Sequence, residues 1–149
     1  MNIDRYKSDH VEIMRRVTDL KRLVLSGVEA HAADIAHGVV AISSTIKLHL
    51  AIEDQVLYPA LNKSADAGVA RTASRFQDEM GPLAADFASF ARRWNTERSV
   101  ASEPAAMRDQ AIQMLDRLHH RMHQENRELY PLAERAWAVG AGLRADGWP

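Results

Sequence analysis

The sequence predicts an all-α protein, an antiparallel up-down-up-down bundle of four helices. Apolar residues recur at spacings of three and four along almost the whole chain, and no stretch alternates as a half-buried strand does. Four amphipathic segments with short connections are typical of a bundle. The 149 residues are 46% hydrophobic with a formal net charge of −1. We therefore expect one domain, residues 1–149, with a substantial core.

The predicted helices are bounded by ordinary start and stop signals. The first ends at Ser26-Gly27, and Glu103-Pro104 marks the start of the last. Pro59 should bend or end the second helix, and Gly81-Pro82 should kink the third. The polar run 95–104 is expected to be a connection, and the glycine-rich tail 140–149 to be loose. The four predicted helices span about residues 2–26, 30–62, 68–94 and 103–138.

Composition excludes several classes of function. The chain has no cysteine, which rules out disulfides, thiolate metal sites and cysteine nucleophiles. The nearly neutral charge argues against nucleic acid as a partner. We find neither a signal segment nor an apolar run of about 18 residues that would span a membrane. A soluble, cytoplasmic protein is therefore expected.

Four polar side chains fall in the middle of apolar stripes. His10 lies in the stripe of the first helix, His49 and Glu53 lie four residues apart in that of the second, and Glu125 lies in that of the fourth. A shift of 72 residues places Glu53 on Glu125, and both are followed by a matching leucine-tyrosine-proline. In the predicted bundle these two carboxylates face each other across the axis. Buried carboxylates need a compensating charge, so this pattern favours a metal centre over a set of satisfied core residues.

Other residues are ambiguous. Glu79 lies at the edge of the third helix's stripe, where it could reach the core or remain solvated. His120 points mostly away from the buried face of the fourth helix. The position equivalent to His49 is Arg121, which we expect to face inward and to neutralise a carboxylate such as Glu128 or reach the site from its rim.

These residues resemble the hemerythrin-like family, also called the HHE cation-binding domains. The resemblance extends from about residue 3 to 136. It is carried by Asp9-His10, by His49-x-x-x-Glu53-Asp54-x-x-Leu57-Tyr58-Pro59 and by Glu125-x-x-x-Leu129-Tyr130-Pro131. It implies an antiparallel four-helix bundle that holds two bridged non-haem iron ions.

Carried over to this chain, the resemblance assigns roles to individual residues. Glu53 and Glu125 would bridge the irons, and His10 and His49 would be terminal ligands. The family's oxygen carriers place a histidine five residues before the fourth-helix carboxylate, which is His120 here.

The chain departs from the oxygen carriers on the third helix. The carriers have a HxxxH pair there, which this chain lacks, and Glu79 is the candidate replacement. A carboxylate makes the iron shell harder and more anionic than an imidazole does, which disfavours reversible oxygen carriage.

The function predicted from the sequence is that of a di-iron protein that senses or reacts with dioxygen, peroxide or nitric oxide. The alternative is an iron-handling or metal-dependent signalling module without turnover, and a metal-free helical interaction module ranks third. Whether the protein is an enzyme, and whether it forms a homodimer, the sequence leaves open.

Overall fold

The described part of the chain is helical almost throughout. The computed structural model describes residues 3–137, and every regular element within them is a helix. The predicted all-α class is therefore confirmed, while the predicted tail 140–149 lies outside the described residues. The helices are α1 (Ile3–Ser26), α2 (Ala32–Ile52, continued by Glu53–Leu57 and Tyr58–Asn62), α3 (Ala67–Arg93), α4 (Glu97–Ser102) and α5 (Pro104–Gln124, continued by Glu125–Leu129 and residues 130–137).

The short helix α4 lies inside the segment that the sequence predicted to be a connection. The Thr96 side chain caps its start, with Oγ1 accepting a hydrogen bond from the backbone N–H of Ser99 at 3.1 Å. Val100 is its one buried residue. A single buried position leaves no apolar stripe to recognise, which explains why the periodicity missed this helix.

Local backbone conformation ends α1, and a side-chain cap starts α3. Gly27 has a φ of +129° directly after α1, a conformation that glycine adopts without strain, and the predicted stop is found there. The Asp66 carboxylate caps α3 by accepting hydrogen bonds from two backbone N–H groups, at 2.8 and 3.4 Å. The helix then continues through Pro82 to Arg93.

A π turn lies just before each of the prolines near the ends of α2 and α5. The two turns are Glu53–Leu57 and Glu125–Leu129. A proline ring crowds the carbonyl four residues earlier, and a wider turn relieves that contact. Pro59 therefore does not end the helix, which continues to Asn62.

Two apolar clusters form the core, and a layer of buried polar side chains separates them along α1, α2 and α5. The larger cluster includes Ile13, Val39, Ile46, Met80, Phe87 and Leu115. The smaller includes Tyr6, Leu57, Phe76, Leu129 and Tyr130. The buried polar residues among those described are His10, His49, Glu53, Arg121 and Glu125.

Helix packing brings this polar layer together. The α1 helix packs against α2 and α5, α3 packs against α5 and the end of α2, and α4 packs against α2. Two exposed ion pairs mark the alignment of α1 with α5: Lys7 lies 2.6 Å from Glu134, and Lys21 lies 2.8 Å from Asp116. This alignment sets the buried polar residue of α1 beside those of α5.

One helix is long and apolar enough to meet the composition criteria for a membrane span, contrary to the expectation from sequence. The segment Ala32–Asn62 contains a window of 18 residues with a mean hydropathy of 1.5. A core helix of a soluble protein passes the same test, and one face of α2 is buried among its neighbours. The hydropathy of α2 is therefore weak evidence for a membrane.

Candidate metal centre

Four side chains from three helices meet in the buried polar layer. They are His10 on α1, His49 and Glu53 on α2, and Glu125 on α5, and each is at most 2% exposed. One ligand atom from each of the four lies within 4.8 Å of the other three. We call these four residues the His-Glu cluster. The sequence placed all four in the apolar stripes of their helices, and the packing now brings them together.

The two imidazoles are oriented by contacts to their outer nitrogens. His10 Nδ1 lies 2.8 Å from Asn126 Oδ1, and His49 Nδ1 lies 3.2 Å from Asp9 Oδ2. Both partners are acceptors, so each Nδ1 carries the proton and donates it. A neutral imidazole held in this way has a bare Nε2, and a carboxylate or amide on the outer nitrogen is the usual support of a metal-ligating histidine.

The inner atoms of the cluster are crowded, and with neutral imidazoles neither Nε2 carries a proton. His10 Nε2 and His49 Nε2 lie 3.0 Å apart. Glu125 Oε1 lies 3.0 Å from the first nitrogen, and Glu53 Oε1 lies 3.1 Å from the second. Despite these short distances, both Oε1 atoms are buried without a hydrogen bond of acceptable geometry. Four lone-pair donors directed at one point repel one another unless a cation or extra protons lie between them.

The crowding and burial of these groups shift the pKa values of the cluster. Burial raises the pKa of Glu53, and the nearby negative charge of Glu125 raises it further. Burial by itself lowers the pKa of His49, but the negatively charged Glu53 carboxylate, 3.1 Å from its Nε2, outweighs burial, and the pKa rises to about 9. Without a metal, the cluster therefore holds protons in the place of a cation.

Tyr130 brings a hydroxyl into the same space. Its OH donates to Glu53 Oε2 at 3.1 Å and lies 2.8 Å from His10 Nε2. Burial raises its pKa far above the ordinary value, with the charge of Glu53 as the next cause. No role was assigned from the sequence to the hydroxyl of this tyrosine. Its position at the centre of the repeated leucine-tyrosine-proline motif was the signal that pointed to the site.

Arg121 adjoins the cluster on the side away from the histidines. Its Nε donates to Glu125 Oε2 at 3.2 Å, and one Nη donates to the backbone carbonyl of Phe76 at 2.6 Å. The predicted inward orientation is found, but the predicted partner Glu128 is exposed. The π turn explains the difference, because it winds less per residue than an α-helix and carries Glu128 off the inner face.

Two of the residues proposed from the sequence lie outside the cluster. The Glu79 side chain is 53% exposed, and its Oε2 lies 3.6 Å from Arg121 Nη1. His120 is exposed on α5. Its neighbours His119 and His123 are also exposed, with their Nε2 atoms 2.7 Å apart.

The donor set suits a metal ion. Two imidazoles and two carboxylates, without thiolates, are ligands for iron, zinc or manganese rather than for thiophilic metals. The orphaned Oε1 atoms of Glu53 and Glu125 provide independent support, since a buried acceptor without a partner needs a cation. The helical fold and the donor set at its centre together place this protein in the class of metal-binding helical proteins.

Comparison with known families agrees with that class. The model of the hemerythrin HHE cation-binding domain matches residues 1–133. The chain belongs to this family, and the resemblance predicted from the sequence is confirmed. Neither the curated proteins nor the solved structures provide a significant match.

Proposed function

We propose that the His-Glu cluster binds iron and that the protein uses it to sense or react with a small oxidant such as dioxygen, peroxide or nitric oxide. The observation that carries this proposal is the convergence of two bare imidazole nitrogens and two unpartnered carboxylate oxygens in a buried layer. Iron supplies redox chemistry and affinity for such diatomic or peroxidic ligands when bound. His10, His49, Glu53 and Glu125 are the proposed ligands.

The number of irons follows from the resemblance alone. The family resemblance implies two ions bridged by Glu53 and Glu125. Glu79, as a substitute for the missing third-helix histidines, and His120, at the family's spacing before Glu125, are the further candidate ligands. That arrangement remains a prediction, and metal analysis tests it. The exposed positions of Glu79 and His120 require a local rearrangement before either residue ligates.

The surroundings of the cluster support a small ligand. Apolar side chains close the layer on both sides, with Ile13 and Ile46 in one cluster and Leu57 and Leu129 in the other. Such walls exclude bulk water and strengthen electrostatic interactions inside. The Tyr130 hydroxyl, already hydrogen-bonded to Glu53, is placed to donate a hydrogen bond to a ligand in the layer.

The proposal includes the arrangement of the whole chain. We take the four long helices to alternate in direction as an antiparallel bundle within one domain, residues 1–149. The pairing of Lys7 with Glu134 and of Lys21 with Asp116 supports opposite directions for α1 and α5. Cytoplasmic location, a homodimer and the lack of a nucleic-acid partner remain predictions.

Metal analysis of a matched pair of variants tests the assignment. Protein loaded with ferrous iron without oxygen and then exposed to peroxide should develop near-ultraviolet charge-transfer absorption. The double variant His49→Ala/Glu53→Ala should lose its iron and this absorption, whereas His37→Ala, at an exposed histidine of α2, should keep both. Iron-loaded protein that stays colourless and does not consume peroxide would contradict the oxidant chemistry.

A second function is favoured by the way the cluster joins three helices. The ligands come from α1, α2 and α5, so a bound ion cross-links the bundle and stabilises the native state. Metal occupancy would then control a fold or a protein contact without turnover, as in iron handling or signalling. Chelation that lowers the melting temperature strongly, in a protein that does not react with peroxide, would select this function.

A further inference from the structure

The bundle repeats itself, and the repeat extends beyond the two carboxylates. The buried stripe of α1 contains Tyr6 and His10, and the stripe of α3 contains Phe76 and Met80 at the same spacing. The following buried residues continue the match at an offset of 70, with Ile13, Val17 and Leu20 on α1 against Leu83, Phe87 and Phe90 on α3. Helices α2 and α5 match at an offset of 72. The polar layer therefore has two equivalent halves.

The two halves carry different chemistry. In the first half, α1 and α2 provide His10, His49 and Glu53, and the hydroxyl of Tyr130 lies against them. The equivalent residues of the second half are Met80, Arg121 and Glu125, and the hydroxyl of Tyr58 lies 3.3 Å from an Nη of Arg121. Neither histidine of the first half has a metal-ligating nitrogen as its counterpart in the second half. Met80 places a thioether at the position equivalent to His10, and Arg121 places a guanidinium at the position equivalent to His49.

Several contacts hold the guanidinium of Arg121 in place in the second half. It is buried, donates to the Phe76 carbonyl at 2.6 Å and to Glu125 Oε2 at 3.2 Å, and lies 4.7 Å from the centre of the Phe76 ring. Arginine keeps its charge at any ordinary pH. Glu125 therefore directs Oε1 at His10 and Oε2 at a permanent cation, where a bridging carboxylate would direct both oxygens at metal ions.

Charge balance also limits the number of divalent ions that the polar layer can hold. One divalent ion together with Arg121 brings three positive charges to a layer with two carboxylates. Two divalent ions would bring five, and the excess would be buried between apolar clusters. Glu79 adds a carboxylate near Arg121, but that side chain is 53% exposed and lies at the rim.

We propose that this centre is mononuclear, with one ion held by the His-Glu cluster and the guanidinium of Arg121 in the place of a second ion. The proposal rests on the metal binding proposed above and departs from the pair of irons that the resemblance implies.

Counting metal ions in the wild-type chain tests it first. Anaerobic titration with Co²⁺ should give a break at one ion per chain, and elemental analysis of protein loaded with Fe²⁺ should agree. After oxidation, a lone high-spin ferric ion gives an electron paramagnetic resonance signal, whereas a bridged ferric pair is coupled and silent. Two ions per chain, or a silent ferric protein, would overturn the proposal, and no bound metal at all would contradict the proposed function itself.

Restoring the missing imidazoles tests the second half directly. The double variant Met80→His/Arg121→His should bind two Co²⁺ ions per chain, and the control Arg117→His, at an exposed arginine one turn earlier on α5, should bind one. Should the double variant not fold, Arg121→Gln, which keeps an N–H donor but removes the positive charge, should bind a second Co²⁺ ion at high Co²⁺ concentration. A folded variant of either kind that still binds a single ion would contradict the role of Arg121.

Discussion

At the scale of single residues, the outer nitrogens of the two histidines decide which way the inner nitrogens point. Asp9 Oδ2 lies 3.2 Å from His49 Nδ1, and Asn126 Oδ1 lies 2.8 Å from His10 Nδ1. Neither acceptor is a ligand. They are positioning residues, because they hold the rings in the tautomer whose Nε2 can bind an ion.

Asp9→Asn should weaken metal binding without unfolding the protein. The amide keeps the shape of the side chain but removes the negative charge that orients and polarises His49. Losses of about 10- to 100-fold in metal affinity are usual when such an outer partner is changed. Titration against a competing chelator measures the change. Asp54→Asn, at an exposed carboxylate next to Glu53, is the control, and an equal loss in both variants would contradict a positioning role for Asp9.

The sequence predicted the residues of the cluster better than it predicted their surroundings. His10, His49, Glu53 and Glu125 were accessible because helical periodicity assigns each of them to an apolar stripe. The partner of Arg121 was predicted wrongly, because the π turn carries the expected partner Glu128 off the inner face, and Arg121 pairs with Glu125 instead. Orientation of a hydroxyl such as that of Tyr130 depends on packing between helices, which spacing along one helix does not encode.

At the scale of elements, caps and prolines set where each helix starts and how its inner face turns. The Asp66 carboxylate satisfies two of the N–H groups at the start of α3 that have no partner within the helix. The π turns begin at Glu53 and Glu125, so each carboxylate is the last residue that follows the α-helical phase of its stripe. The π turns could be located only in the structure, because the sequence motif that contains them predicts an ordinary α-helix.

Asp66→Ala should destabilise the protein and leave its metal content unchanged. Removal of an N-cap typically lowers the free energy of unfolding by about 1 kcal/mol. The His-Glu cluster receives no ligand from α3, so the number of ions per chain should stay the same. Urea denaturation and elemental analysis provide the two measurements. Asp78→Ala, at an exposed position within α3, is the control, and a cap variant as stable as this control would contradict the assigned cap.

At the scale of the whole molecule, a charged layer interrupts an apolar core, and its buried charges destabilise the fold unless they are neutralised. Protons can do this in part. The pKa of His49 is raised to about 9 because the close negative charge of Glu53 outweighs the effect of burial, and burial raises the pKa of Glu53. A metal ion replaces these protons, so metal binding should release protons and weaken at low pH.

Metal-free protein should lose stability as the pH rises. Both raised pKa values mean that the folded state binds protons more tightly than the unfolded chain. The part due to His49 is fully present below about pH 6.5, the ordinary pKa of histidine, and is lost as the pH rises through about 9. The part due to Glu53 is already declining above about pH 4.5, the ordinary pKa of that carboxyl, and changes stability in the same direction. Urea denaturation of chelated protein across this range measures the loss, and metal-loaded protein should show less of it. A metal-free protein that gains stability between these two pH values would contradict the account.

An anomalous-scattering map collected at the iron edge, from crystals of protein loaded with iron, tests the central claim most directly. The account predicts one peak per chain, bounded by His10 Nε2, His49 Nε2, Glu53 and Glu125 Oε1, with the Arg121 guanidinium still on Glu125 Oε2. A map without a peak among these four side chains would contradict the metal centre, and a second peak in the place of the guanidinium would contradict its mononuclear form.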